Sequence, residues 1–187
     1  SSDRKTLLAV WYEDGVPYWD FIAADHPETK AYAGLVKAFP GKAVRFMRPS
    51  EDGRFLSMRV YSDTAPPEAY LFDRQTGKAK FLTASMEWIK PEEMATMKPV
   101  SVKTRDGLVI HGYLTVPKGS DGKNLPMIVN PHGGPHGPRD EWGFNPEVQL
   151  LANRGYAVLQ MNYRGSGGYG NAFEGMGYRK WGTTMQD

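Results

Sequence analysis

The chain has 187 residues, 40% of them hydrophobic and 24% charged, with a formal net charge of +2. That is a globular composition, long enough for one domain or two small ones, and it carries no basic or acidic block to suggest a nucleic-acid partner or a solvating tail. Apolar runs far short of about 18 residues argue against a membrane-spanning helix, and the absence of cysteine excludes disulfides, thiolate zinc sites and a cysteine nucleophile.

Behind Ser1-Ser2-Asp3-Arg4 there is no apolar signal core, and the cysteine-free composition is compatible with cytoplasm or periplasm. Two strands are expected first, at 7–12 and 16–23, around a turn at Glu13-Asp14-Gly15. Their aromatic and branched residues suit a pleated, half-buried surface. A helix follows, with Pro27 near its start. Tyr32, Leu35, Val36 and Phe39 recur at helical spacing until Pro40-Gly41 stops it. Four more strands are expected at 43–48, 54–61, 69–73 and 78–82, with turns at Asp52-Gly53 and Thr76-Gly77 and a longer one over 62–67. Four short antiparallel strands in about 40 residues are the size of one propeller blade. They equally fit a small sheet of another fold.

Residues 91–99, framed by two prolines, read as a linker with one helical turn. Segments 100–104 and 108–116 then flank Asp106-Gly107, a hairpin signal. From there the pattern becomes α/β. A short apolar strand is expected at 126–130. Asn145 is placed to cap a helix, with Pro146 at its first position and Glu147 in its first turn. Val148, Leu151 and Ala152 share one face, and Gly155 stands where a left-handed cap is wanted. The apolar run 156–161 suits a parallel strand buried on both faces. Strand, helix, strand predicts a right-handed crossover, with 126–130 and 156–161 parallel in one sheet and the helix packed across them.

The motif with most chemistry in it is His132-Gly133-Gly134-Pro135, directly after the first of those strands. Acyl transfer needs fixed donors for an oxyanion that exists only in the transition state, and backbone N–H groups serve because they need no reorganisation. Paired glycines leave them unobstructed. In α/β-hydrolases one such donor comes from the loop after the third strand, often in a His-Gly-Gly setting; the alternative is an ordinary Gly-Pro turn. His132 and His136 have a His-x-x-x-His spacing, but on a turn and without an acidic partner in the motif, which argues against a metal site. Gly165-x-Gly167-x-x-Gly170, with Asp187 beyond it, formally fits a dinucleotide fingerprint. Asn162-Tyr163-Arg164 separates it from the strand, and Gly175 and Gly177 interrupt the helix that should follow. Trp11, Tyr12, Tyr18, Trp19 and Phe21 read as core rather than as a stacking platform. Arg164, just past a strand end, is expected either to pair with Asp140 or Glu141 or to be solvated.

On these residues the chain resembles the prolyl oligopeptidase family, in its acylaminoacyl-peptidase-like and dipeptidyl-peptidase-like branch. The matching stretches are Arg105-Asp106-Gly107-Leu108, Gly112-Tyr113-Leu114-Thr115-Val116-Pro117, the His-Gly-Gly-Pro at 132–135, Arg139-Asp140-Glu141-Trp142-Gly143-Phe144, Leu151-Ala152-Asn153-Arg154-Gly155-Tyr156, and Asn162 through Gly170. Residues 1–90, including Ser50-Glu51-Asp52-Gly53, are similar to the last portion of the family's β-propeller. The resemblance implies antiparallel propeller blades over 1–90, a linker at 91–99, and the N-terminal half of an α/β-hydrolase domain over 100–187, a mixed sheet with a βαβ crossover. It implies a serine peptidase that cleaves short, acylated or aminoacyl peptides through an acyl-enzyme. Neither cofactor nor metal is implied, nor a nucleic-acid or membrane partner; homo-oligomers are compatible with it.

The Gly134 N–H is implied as an oxyanion donor. His132, where other branches carry a tyrosine whose hydroxyl assists the oxyanion, is implied as support for the loop. The triad runs serine, acid, histidine and is implied to follow residue 187, so that the isolated chain is expected to be inactive. No Gly-x-Ser-x-Gly occurs. Ser166, in Arg-Gly-Ser-Gly-Gly with no histidine after it, is read as a loop serine. An α/β-hydrolase esterase and a non-catalytic β-rich interaction module are the alternatives; the strand-rich first part favours the peptidase.

Overall fold

Alternating side chains build the first half. In the computed structural model, which describes residues 1, 5–134 and 136–186, β1 (Ala9–Tyr12) and β2 (Tyr18–Phe21) pair antiparallel with Trp11 opposite Trp19. Helix α1 (Pro27–Ala38) starts at the proline, and its cap is His26, whose Nδ1 accepts from the Glu28 N–H. Strands β3 (Ala43–Pro49), β4 (Phe55–Tyr61), β5 (Glu68–Asp73) and β6 (Lys78–Ala84) form an antiparallel sheet in chain order. Leu56, Met58 and Val60, two apart along β4, fall on one face and pack with Leu35, Val44 and Phe72. Each such fully buried side chain contributes about 1.5–3 kcal/mol. Arg54 and Asp73 pair at 2.8 Å, and that contact holds the Asp73 carboxyl down at about 2.

A 3-10 turn at Pro91–Glu93 leads to β7 (Met97–Lys103), which starts inside the stretch expected to be linker. Pro99 is accommodated because β7 is an edge strand, where a missing N–H leaves no ladder bond unmade. A three-residue loop at 105–107 joins β7 to β8 (Val109–Thr115). The Thr104 N–H donates to the Leu108 carbonyl, and Gly107 takes φ +89°; the turn is therefore one residue longer than a two-residue Asp-Gly hairpin. Then come β9 (Met127–Val129), α2 (Pro146–Asn153), β10 (Ala157–Asn162) and α3 (Asn171–Gly175). The sheet order is β7-β8-β10-β9: β10 is antiparallel to β8 and parallel to β9, with Ile128 opposite Val158. Helix α2 packs on β10 and β8. Asn145 caps it, its side chain accepting from the N–H groups of Glu147 and Val148 at 3.0 and 3.2 Å, and Gly155 closes it at φ +93°.

Two compact units result, residues 1–12 with 17–91 and residues 13–16 with 92–187. Among the described residues no helix is long and apolar enough to cross a membrane. Pro135 of the glycine loop and Asp187 of the dinucleotide pattern lie outside the described residues.

Candidate active site

Parallel neighbours end at the same edge of a sheet, so the loops that follow β9 and β10 meet. The Asn130 N–H still donates to the Leu159 carbonyl, and the chain then runs through 131–137. From β10 it runs through 163–170. The two loops are zipped together: the Gly137 N–H donates to Gly165 O at 3.2 Å and the Gly167 N–H to Gly137 O at 3.1 Å. A Cβ on Gly167 would stand 2.3 Å from Gly137 O, so this approach requires glycine.

His132 is held from three sides. Its ring stacks on Tyr163 with centroids 4.4 Å apart, and the Tyr163 hydroxyl donates to the His132 carbonyl at 2.9 Å. Its Nδ1 lies 2.7 Å from Gly133 O and its Nε2 lies 2.9 Å from Ser166 Oγ. Gly133 and Gly134 are exposed. Among the described residues the Gly134 N–H makes no hydrogen bond.

Ser166 and His132 stand at the distance of a nucleophile and its base. Ser166 is nevertheless wholly buried, and Nδ1 faces a carbonyl rather than an orienting carboxylate. Sequence order set Ser166 aside because no histidine follows it; the structure brings up one that precedes it. Burial is the stronger reason to keep it a loop serine.

Behind the loop, the buried Asn162 side chain grips the backbone of Asp140, accepting from its N–H at 2.7 Å and donating to its carbonyl at 3.0 Å. It also donates to the Tyr169 hydroxyl. Gln160 donates to Asp140 Oδ1 at 2.6 Å. Burial pushes the Asp140 carboxyl up, opposed by that hydrogen bond and by His132. Burial also raises the Tyr163 hydroxyl, with the Asp140 charge adding to it. Neither polar residue of β10 stands out in its apolar run, and nothing in the sequence alone marks this network.

Arg164 pairs with neither Asp140 nor Glu141. Its guanidinium bonds Asp106 Oδ2 at 2.7 Å. The sheet explains the correction: β8 runs antiparallel beside β10, so the loop before β8 lies at the end of β10, while Asp140 is already engaged by Gln160. The Thr104 hydroxyl and then Arg164 hold the Asp106 carboxyl down at about 2. Arg139 is the arginine that meets Glu141, at 3.5 Å, and it bonds Glu13 at 2.9 Å. A Cβ on Gly168 would collide with that guanidinium.

His136 sits edge-on to Tyr178, ring centroids 4.6 Å apart. Among the described residues no group of three His, Asp or Glu side chains is placed to hold a metal. A cavity of about 400 Å³, lined by Trp19, Phe21, Tyr32 and Phe46 among others, belongs to the first unit. Its walls are mostly apolar.

A sequence profile of the prolyl oligopeptidase family matches residues 142–187. Dipeptidyl aminopeptidase BIII of Pseudoxanthomonas mexicana is 35% identical over 130 residues, covering 66% of this chain and 19% of that protein. Dipeptidyl peptidase family member 6 of Caenorhabditis elegans is 31% identical over 202 aligned residues, 97% of this chain and 27% of the relative. The chain thus spans about a fifth to a quarter of the length of these curated relatives. The solved structure of Pyrococcus horikoshii acylaminoacyl peptidase is similar with a TM-score of 0.59 at 28% identity, over 78% of this chain and 23% of that one. By sequence and structure together, the chain belongs to the prolyl oligopeptidase family.

Proposed function

We propose that this chain is a segment of a serine peptidase that cleaves short peptides through an acyl-enzyme. In this reading residues 1–90 are the tail of a β-propeller, 91–99 a linker, and 100–187 the opening half of an α/β-hydrolase domain. The Gly134 N–H is one oxyanion donor and His132 supports its loop. Nucleophile, acid and base come from outside residues 1–187, so the chain by itself turns over no peptide or ester.

The observation that carries this reading is the place of the glycine loop. It follows the third strand of its sheet in chain order, β9, and precedes helix α2. That is where α/β-hydrolases take a backbone oxyanion donor. Two exposed glycines let a substrate carbonyl reach the N–H groups without a Cβ in the way, and a fixed dipole in a water-poor cleft stabilises the developing charge. The relatives named as dipeptidyl peptidases and acylaminoacyl peptidase support peptides as the substrate class.

The test is a crystal structure of the full-length protein with a covalent mimic of the tetrahedral intermediate. The expected result is the Gly134 N–H about 3 Å from the oxyanion. An oxyanion held by other donors, with that N–H turned away, overturns the assignment.

A further inference from the structure

We propose that Ser166, acting through His132, aims the Gly134 N–H; the inference rests on Gly134 being an oxyanion donor. The Gly133 carbonyl and the Gly134 N–H belong to one peptide group. That group is planar and trans, so the two point in opposite directions. Whatever fixes the carbonyl fixes the donor.

The carbonyl is fixed by His132 Nδ1 at 2.7 Å. A carbonyl oxygen only accepts, so Nδ1 carries the proton, and in the neutral ring Nε2 is then an acceptor. What meets Nε2, at 2.9 Å, is the hydroxyl of Ser166, a group able to donate. The serine can therefore donate to Nε2 and hold the ring in the tautomer that the carbonyl requires. The tautomer puts its proton on the carbonyl, and the carbonyl turns the Gly134 N–H away from the histidine toward the exposed side of the loop. Ser166 itself is wholly buried and held by its own N–H to Tyr163 O at 3.0 Å. Tyr163 fixes the preceding peptide through the His132 carbonyl and supports the ring face. The serine is therefore a positioning residue.

The test uses the full-length protein, with an aminoacyl-nitroanilide as substrate and a peptidyl trifluoromethyl ketone as the adduct-forming inhibitor. Ser166→Ala should lower kcat on the order of tenfold with KM little changed, and weaken the inhibitor by a similar factor. His132→Leu should lose at least as much. His132→Asn should recover most of that loss, because a side-chain amide can stand in for Nδ1–H. In the His132→Asn background, Ser166→Ala should cost less than about twofold, since the amide has no second ring nitrogen for the serine to hold. A crystal structure of the Ser166→Ala protein should show the Gly133 carbonyl swung off His132. A carbonyl still in place, or the same tenfold loss in the His132→Asn background, overturns the relay. A carbonyl that swings while kcat and inhibitor affinity stay as in the parent removes Gly134 from the oxyanion hole instead, and with it the catalytic meaning of the relay.

Discussion

Asp140 and Gln160 show how much one proton decides at a single residue pair. Gln160 donates to Oδ1, which leaves Asp140 Oδ2 and Gln160 Oε1 buried without partners among the described residues. Both are acceptors while the carboxyl is ionised; protonation would turn one into a donor. Burial raises the pKa, so between the ordinary carboxylate value and the raised one the folded protein binds more protons than the unfolded one. Stability from this group is therefore full in acid and falls as pH rises through the folded pKa. Asp140→Asn supplies the missing N–H at every pH. It should stabilise the protein by about 1 kcal/mol at pH 7, with the difference from the parent shrinking toward pH 4. Urea unfolding of both proteins at the two pH values checks this; an equal difference at both would remove the neutral-carboxyl argument. Asp73 and Asp106, held at about 2 by their partners, act in the opposite sense and lose their contribution as pH falls toward that value, which is why the comparison must be between variant and parent. A fluorophosphonate should label the full-length protein at a serine outside this chain and leave the buried Ser166 unmodified, as peptide mapping by mass spectrometry would show.

At the scale of elements, local rules carry far. The Asn145 cap, the first-turn Pro146 and the closing Gly155 can all be read from sequence because each acts within one turn. Asn145→Ala should cost about 1 kcal/mol, seen as a lower thermal midpoint. Gly112 is different. It lies in β8 opposite Met161, and an added Cβ would stand 2.1 Å from the Gln160 carbonyl oxygen of β10. Gly112→Ala must push two paired backbones apart and should cost about 1–3 kcal/mol, measurable in the same unfolding assay; a neutral substitution would show that the strands yield. The short helix α3 was not separable in the sequence, because Gly175 and Gly177 read as breakers. The early start of β7 was hidden by Pro99, which only an edge position excuses.

For the molecule as a whole, the exposed apolar side chains are the informative feature. Phe81, Leu82 and Trp88 stand out in the first unit, and Met176, Tyr178 and Trp181 in the second; Trp88 is 76% and Trp181 63% exposed. Side chains this large and apolar gain from being covered by another structure, and the curated relatives are several times longer than this chain. The 187-residue chain expressed alone should therefore bind anilinonaphthalene sulfonate and self-associate at micromolar concentration, and the full-length protein should do neither to the same extent. Sedimentation with dye fluorescence decides it: a monomeric, dye-silent chain would show these side chains to be ordinary surface.

The sequence by itself determined the order of the strands and of the two longer helices, the parallel pair β9 and β10, and the glycine loop at their common edge. Periodicity, caps and turn residues act over a few positions, and in a βαβ unit those local signals imply the pairing. Only the tertiary structure decided who meets whom at that edge. His132 and Ser166 are 34 residues apart, Asp106 and Arg164 are 58 apart, and Glu13 and Arg139 are 126 apart. Asp140 and Glu141 are nearer to Arg164 in sequence than Asp106 is, yet Arg164 bonds Asp106, because the order of strands in the sheet sets which loops share an edge. A hydroxyl, an imidazole and a carbonyl carry no pattern that announces their contact; they line up because two loops leave adjacent parallel strands in the same direction.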